Sequence, residues 1–344
     1  MLSSLGKFNK LHRVKLAFAP TPLEYMPNCS RNLNGPGIFV KRDDMTGLAL
    51  GGNKARQLEF YMGEAQARGA DVILTTGAVQ SNFVRTAAAA AAKLGVECHL
   101  QLEERVLNVD KTYRNSGNVL LEKLFGATLH SFRSGDDEFA ADKQLIEIAN
   151  ELRLNGRNPY IISLSPGHPP LGAMGYIVCA KEILEQIKKL KISIDEIVCA
   201  SGSASTHAGL VFGLRALGSE IRVIGICVRR SSDMQTPRVI NRCKEIADFL
   251  EIPSPVKSED IITKDETLAP GYGQLNKKTF EALKFCASSE GLVLDPVYTG
   301  KVFAGLISRI QGGVYAEKEK VLFLHTGGQP GLFAYEPKLR KDLT

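Results

Sequence analysis

The 344-residue sequence has no tryptophan, and aromatic residues make up only 7% of it. That is too few for the stacked aromatic platforms that hold single-stranded nucleic acid. Charge of one sign is also scarce. Lys and Arg number 43 against 37 Asp and Glu, and a formal net charge of +6 suits small anionic molecules better than a nucleic-acid groove. No apolar run approaches the ~20 residues of a membrane span. The most apolar window, Ala87–Ala92, is bracketed by Arg85 and Lys93. The seven cysteines, Cys29, Cys98, Cys179, Cys199, Cys227, Cys243 and Cys286, are odd in number, widely spaced and without a CxxC pair. They exclude a disulfide frame and a zinc site and fit reduced thiols in the cytoplasm. Internal repeats, low-complexity linkers and a GxGxxG fingerprint are all missing, and the last absence argues against a dinucleotide cofactor.

The chain is 44% hydrophobic and 23% charged, as expected of a globular protein. At roughly 100–200 residues per domain, its length suggests two. The first 23 residues carry Lys7, Lys10, Arg13 and Lys15 without an acid. With Pro20 and Pro22 marking extended structure, this stretch reads as a solvated basic arm rather than a transit peptide. Beyond it, apolar runs of strand length alternate with helical stretches. Strands are predicted at 38–40, 71–76, 96–102, 127–130, 160–164, 196–200, 222–228 and 321–325. Helices are predicted at 54–68, 81–94, 172–190 and 207–217, and the proline-punctuated 230–270 reads as surface helix plus loop. Near-continuous apolar strands alternating with helices predict an α/β fold of open, twisted, mostly parallel sheets covered by helices. In such folds chemistry collects in loops after the carboxyl ends of strands.

One such loop runs Gly47-Leu48-Ala49-Leu50-Gly51-Gly52-Asn53-Lys54. It has the glycine spacing of a P-loop, but Asn53 stands where the lysine belongs, and Ala55 follows Lys54 in place of Ser or Thr. What remains is a lysine set by glycines at a helix start. There the dipole and a partly dry site depress its pKa and make it an amine nucleophile. A second loop, Ser201-Gly202-Ser203-Ala204-Ser205-Thr206-His207, follows a buried strand and opens a helix. An ordinary cap needs one hydroxyl; several, set among small residues, form a phosphate cradle. A phosphate cradle and an activated lysine together imply pyridoxal 5'-phosphate. Gly77-Ala78-Val79-Gln80-Ser81-Asn82 can then hold a substrate carboxylate, with Asn82 on the ring hydroxyl. Thr326-Gly327-Gly328 lies where it can close over the cofactor.

Taken in order, Lys41-Arg42-Asp43-Asp44, Gly51-Gly52-Asn53-Lys54, Gln80-Ser81-Asn82 and Thr326-Gly327-Gly328 resemble one family. It is the pyridoxal-phosphate family of D-cysteine desulfhydrase and 1-aminocyclopropane-1-carboxylate deaminase, within the tryptophan-synthase-β (fold type II) group. The resemblance runs from Ala19 to Phe333. It implies that Lys54 is the Schiff-base lysine, that Asn82 meets the pyridine hydroxyl, that Ser203, Ala204, Ser205 and Thr206 cup the phosphate, and that Ser81 holds the substrate carboxylate. It also implies a small domain over 53–170, a large cofactor-binding domain over 1–52 and 171–344, and a homodimer. Lys54 is the default base at Cα, with Tyr272 and Tyr298 as aromatic partners over the ring, and Thr326 and Gly327 lie at the cofactor. In Leu294-Asp295-Pro296-Val297-Tyr298-Thr299 the deaminases carry Glu at the last position, facing the pyridine nitrogen. Thr299 matches the desulfhydrase-like branch. A neutral hydroxyl there favours α,β-elimination of a good leaving group over ring opening.

Two departures bear on the substrate. Phe83 replaces a His common in desulfhydrases, and Ser165-Pro166-Gly167-His168-Pro169-Pro170 replaces a Gly-Gly-Ser-Asn loop. Phe83 and His168 are therefore expected near the leaving group. The sequence is read as a cytoplasmic pyridoxal-phosphate lyase acting on a small, cysteine-like amino acid, with no metal. An L-cysteate sulfo-lyase and the cyclopropane deaminase are the alternatives within the family. A non-catalytic amino-acid-binding protein on the same fold is the alternative outside enzymology, and Lys54 argues against it.

Overall fold

The computed structural model describes residues 5–135 and 137–343. Among these described residues, ten strands form two sheets: β1 (Leu23–Tyr25), β2 (Gly37–Lys41), β3 (Val72–Ala78), β4 (Glu97–Glu103), β5 (Thr128–Phe132), β6 (Pro159–Ile162), β7 (Glu196–Ser201), β8 (Arg222–Cys227), β9 (Ile262–Lys264) and β10 (Lys320–Leu324). The larger sheet has the order β1-β2-β10-β7-β8-β9 and the smaller β5-β4-β3-β6. Every pairing is parallel except β1 with β2. Parallel strands covered on both faces must be apolar on both. All seven residues of β3 are buried, as are all but Ala200 in β7 and all but Arg222 in β8. The α/β architecture expected from the alternating pattern is the one observed.

The two sheets share one apolar core. Its largest cluster joins Ile73 and Leu100 of the smaller sheet to Ile197 and Leu322 of the larger through helices Asn53–Ala67, Leu171–Leu190 and Ser205–Ala216. These helices pack closely because small residues line their contacts. A Cβ added to Gly175 would lie 2.3 Å from the Arg56 carbonyl oxygen. Behind that contact is a buried ionic network. Arg56 donates to Asp43 at 2.9 Å and to both carboxylate oxygens of Glu182 at 2.8 Å. Lys41 donates to Glu182 at 2.5 Å, and the Tyr176 hydroxyl to Asp43 at 2.7 Å. Losing one partner of such a network leaves an uncompensated buried charge, which costs about 3–5 kcal/mol. The network therefore pins the helix that begins at Asn53 and the Lys41–Asp44 segment to one another.

The amino-terminal stretch corrects an expectation. Leu5, Phe8, Leu16 and Ala17 are buried, Arg13 pairs with Glu59 at 2.6 Å, and the backbone N–H groups of Leu16 and Ala17 donate to the same carboxylate. From residue 5 onward the basic segment is strapped to the body, because its cations alternate with apolar anchors. Residues 230–270 hold the expected helix, Ser232–Leu250, and beyond it the edge strand β9, which was not expected.

Candidate active site

Lys54 is the second residue of helix Asn53–Ala67, and Gly52 before it has φ 116°, a conformation closed to most side chains. The Asn53 N–H donates to the Thr326 carbonyl at 3.0 Å, and a Cβ on Gly327 would come within 2.6 Å of the Gly52 Cα. The two glycine loops thus meet backbone to backbone beside the lysine. Lys54 has no carboxylate partner among the described residues. Its Nζ lies 3.5 Å from Gln57 Oε1 and 5.8 Å from the centre of the Phe83 ring. Burial without compensation pulls its pKa down to about 8. The helix N-terminus acts in the same sense.

Across the cavity, β7 ends at Ser201 and helix Ser205–Ala216 begins after a turn in which Ala204 adopts φ 76°. No side chain caps this helix, so its first N–H groups are left for another acceptor. Thr206 Oγ1 accepts from Asn53 Nδ2 at 2.9 Å and from Gln57 Nε2 at 2.8 Å. With both lone pairs occupied, the hydroxyl proton is its one remaining hydrogen-bonding group. Uncapped helical N–H groups and a hydroxyl held as donor match a phosphate, and the lone amine nearby matches an aldehyde. The donor set fits pyridoxal phosphate. Lys54, Asn82, Ser203, Ala204, Thr206 and Thr326 line one continuous cavity, and Ser205 is buried beside it.

Ser81 caps helix Asn82–Leu94, its Oγ accepting from the Phe83 N–H at 3.2 Å. Asn82 Oδ1 accepts from Asn118 Nδ2 at 3.1 Å, which fixes the amide orientation. The hydroxyls of Tyr272 and Tyr298 lie 2.7 Å apart, with the rings edge to face at 72°. Both line the cleft together with Lys54. Burial raises both phenols, that of Tyr298 well above its ordinary value, while Arg105 opposes the rise in each.

Three expected residues stand elsewhere. Phe83 is 2% exposed and packs edge-on against Tyr61, so it forms the floor under Lys54 and not the cleft wall. His168 lies on the surface, 3.4 Å from Asp142, because the 165–170 loop turns outward. Thr299 is fully buried beneath the tyrosines. Its hydroxyl donates to Asp295 Oδ1 and accepts from the Asp295 N–H, both at 2.7 Å. Sequence reasoning missed the charged wall of the cleft: Glu103, Arg105, Glu138, Arg229 and Arg238. Arg105 and Arg229 each lie two residues beyond the carboxyl end of a strand, the one signal that could have found them. It also missed Asn53 and Gln57, which orient Thr206.

Among the described residues no helix is long and apolar enough to cross a membrane, and no cluster of side chains suits a metal ion. The model of the pyridoxal-phosphate dependent enzyme family matches residues 14–327. A D-cysteine desulfhydrase of Klebsiella pneumoniae is 44% identical over 336 residues, covering 98% of this chain and all of the relative. The crystal structure of an ACC deaminase homologue superposes with a TM-score of 0.86 at 38% identity, over 97% of each chain. O-ureido-L-serine synthase, at 17% identity and a TM-score of 0.65 over 96% of this chain and 95% of its own, shares the fold. With Lys54 and the uncapped helix at Ser205 matching what the cofactor requires, the chain belongs to the pyridoxal-phosphate dependent enzymes.

Proposed function

We propose that this protein is a lyase of the D-cysteine desulfhydrase type, eliminating a sulfur group from the β-carbon of a small, cysteine-like amino acid. For cysteine the balance is cysteine and water in, pyruvate, ammonia and hydrogen sulfide out. The observation that carries this reading is the single amine of Lys54, with its pKa of about 8, facing the uncapped helix at Ser205 and the donor hydroxyl of Thr206. When bound, pyridoxal phosphate supplies an aldehyde for an amino group and a ring that withdraws electrons from the Cα–H bond.

The chain's own residues do the rest. Lys54 would hold the cofactor through its amine, and that amine, when free, is placed to take the Cα proton. Ser81 and the N–H groups of the helix it caps bind the α-carboxylate. The Asn82 amide, held by Asn118, orients the ring hydroxyl. Tyr272 and Tyr298, with their hydroxyls 2.7 Å apart and both lining the cleft, are placed to give a proton to the departing sulfur. Thr299 brings no carboxylate to the ring nitrogen, and its hydroxyl is already committed to Asp295, which suits a leaving group that departs promptly. Asp295, which holds the Thr299 hydroxyl, also accepts from the N–H groups of Val297, Tyr298 and Thr299. In this reading residues 53–170 form a small domain and the rest a large one, with the cofactor between them, in a cytoplasmic homodimer. The test is pyruvate and sulfide release from D- and L-cysteine by the yellow holoenzyme. Both products in equal amounts support the proposal; neither product from either enantiomer, or pyruvate without sulfide, refutes it.

A further inference from the structure

Arg85 lies one turn into the helix that Ser81 caps, and it is fully buried. Its guanidinium reaches two different parts of the site. Nη1 donates to the Ala49 carbonyl and, at 3.3 Å, to that of Gly51, to which Nη2 also donates at 3.4 Å. These carbonyls belong to the turn that leads into Lys54. Ala49, Leu50, Gly51 and Gly52 in succession have φ of 49°, 67°, 70° and 116°, a left-handed run in which two residues carry a Cβ. Such a backbone persists only where its surroundings over-determine it. On its other side, Arg85 Nε donates to Asn118 Oδ1 at 3.1 Å. Asn118 Nδ2 in turn donates to Asn82 Oδ1 and to the Gln80 carbonyl, both at 3.1 Å.

The guanidinium leaves a carboxyl group unused in making these bonds. Glu122 follows Asn118 by one turn on helix Asn118–Leu124 and acts on the Arg85 charge, yet both its oxygens are buried without a hydrogen-bond partner among the described residues. Burial raises the Glu122 carboxyl to about 8 and lowers Arg85 only to about 10, so Arg85 stays charged at neutral pH. A buried arginine that served the core alone would close on the buried acid, because an unpaired buried charge is costly. Arg85 instead points its donors at the Lys54 turn and at an amide. A guanidinium also cannot accept a hydrogen bond. Asn118 must therefore turn its oxygen to Arg85 and its nitrogen to Asn82, and Asn82 must turn its oxygen to Asn118. What Asn82 has left for the cavity it lines with Lys54 is its amide nitrogen, a donor.

Resting on the cofactor assignment of the lyase reading above, we infer that Arg85 is a positioning residue of the cofactor site. It holds the strained turn that presents Lys54, and it sets the polarity of the Asn118–Asn82 amide relay, so that Asn82 meets the ring oxygen of pyridoxal phosphate as a donor. A donor there favours the ionised oxygen. The proton that the ring oxygen and the Lys54 nitrogen can share is thereby driven to the nitrogen. Lys54 and Asn82 stand on different helices. Arg85 bonds to the turn before the first and, through Asn118, to the second, so one side chain keeps the two in register.

The test locates that proton and does not depend on turnover. Bound pyridoxal phosphate absorbs in the visible when its ring oxygen is ionised and in the near ultraviolet when that oxygen carries the proton. Asn118→Asp keeps an acceptor for Arg85 but cannot donate to Asn82, so the visible-to-ultraviolet absorbance ratio of the holoenzyme should fall at least fivefold. Arg85→Gln, whose amide can face either way, should lower the ratio as much. Hydrogen exchange of the cofactor-free proteins over residues 48–53 separates the two arms. Arg85→Gln should exchange there at least tenfold faster, and Asn118→Asp within twofold of the unmodified protein. Arg85→Lys, again a donor without an acceptor, should recover the ratio to within twofold. Its single ammonium replaces a fork, so exchange should stay at least threefold faster, and this variant decides if Arg85→Gln does not fold. A ratio within twofold of the unmodified enzyme in Asn118→Asp, or one that Arg85→Lys fails to recover, would overturn the relay. Unchanged exchange in the folded Arg85 variants would overturn the hold on the turn. Absence of pyruvate from every cysteine-like amino acid, with spectra and exchange as expected, would overturn the elimination and still support the role of Arg85.

Discussion

Thr206→Val separates a phosphate ligand from a structural cap, because the hydroxyl has two distinguishable duties. It accepts from Asn53 Nδ2 and Gln57 Nε2 inside the protein, and it donates outward into the cavity. Valine keeps the volume and removes all three interactions. The two orphaned amide donors are buried polar groups, each worth about 1–3 kcal/mol if no other acceptor reaches them. The cofactor-free protein should therefore lose about 2–6 kcal/mol of stability in urea unfolding. The outward bond goes to a charged group, worth about 1.5–3 kcal/mol. Its loss should raise the cofactor dissociation constant roughly 10- to 150-fold, at about 1.4 kcal/mol per decade. The remaining helical N–H groups keep binding measurable. Thr206→Ser should recover most of both effects. The assay is absorbance titration of the cofactor-free enzyme with pyridoxal phosphate, run beside the unfolding curve. A dissociation constant within twofold of the unmodified protein, with stability reduced as expected, would refute the phosphate assignment.

Three further outcomes follow from the same geometry. Lys54, at a pKa of about 8, is about 9% neutral amine at pH 7 and half neutral at pH 8, against about 0.03% at pH 7 for an ordinary lysine. Cofactor capture by the apoenzyme should therefore speed up about fivefold from pH 7 to 8 and level off above pH 9, as followed by stopped-flow absorbance; a rate still rising tenfold per unit at pH 9.5 would show an unperturbed lysine. Glu182→Leu strips the buried network of one of its two carboxylates and leaves Lys41 and Arg56 with Asp43 alone, so stability in urea should fall by about 3–5 kcal/mol, and a loss below 1 kcal/mol would contradict the role given to the network. Thr299→Glu sets a second carboxylate against the buried Asp295; elimination should slow at least tenfold, and efficient 2-oxobutyrate release from the cyclopropane amino acid by the unmodified protein would overturn the branch assignment.

The parts of the site legible in the sequence are those encoded locally. Gly51-Gly52-Asn53-Lys54 and the run from Ser201 to Thr206 are each a strand-end or loop feeding a helix, so their chemistry follows from neighbouring residues. The parts that were not legible depend on long-range contacts. Arg105 and Arg229 lie more than a hundred residues apart and meet only because the ends of β4 and β8 open on one cleft. His168 was expected at the substrate because of its place in the chain, but the loop's outward turn carries it to Asp142 at the surface. Strands β1 and β9, three residues each, are too short for any periodicity to register; pairing with a longer neighbour makes them strands.

The central claim is that Lys54 carries the cofactor. Lys301 is the sharpest competitor, since burial also lowers its pKa to about 8, but its ammonium donates to the carbonyls of Leu268 and Gly271 at 2.7 Å. Borohydride reduction of the holoenzyme, followed by proteolysis and mass spectrometry, distinguishes the two. The pyridoxyl-phosphate mass should appear on the peptide containing Lys54 and vanish in Lys54→Ala; the label on Lys301 or any other lysine would contradict the account.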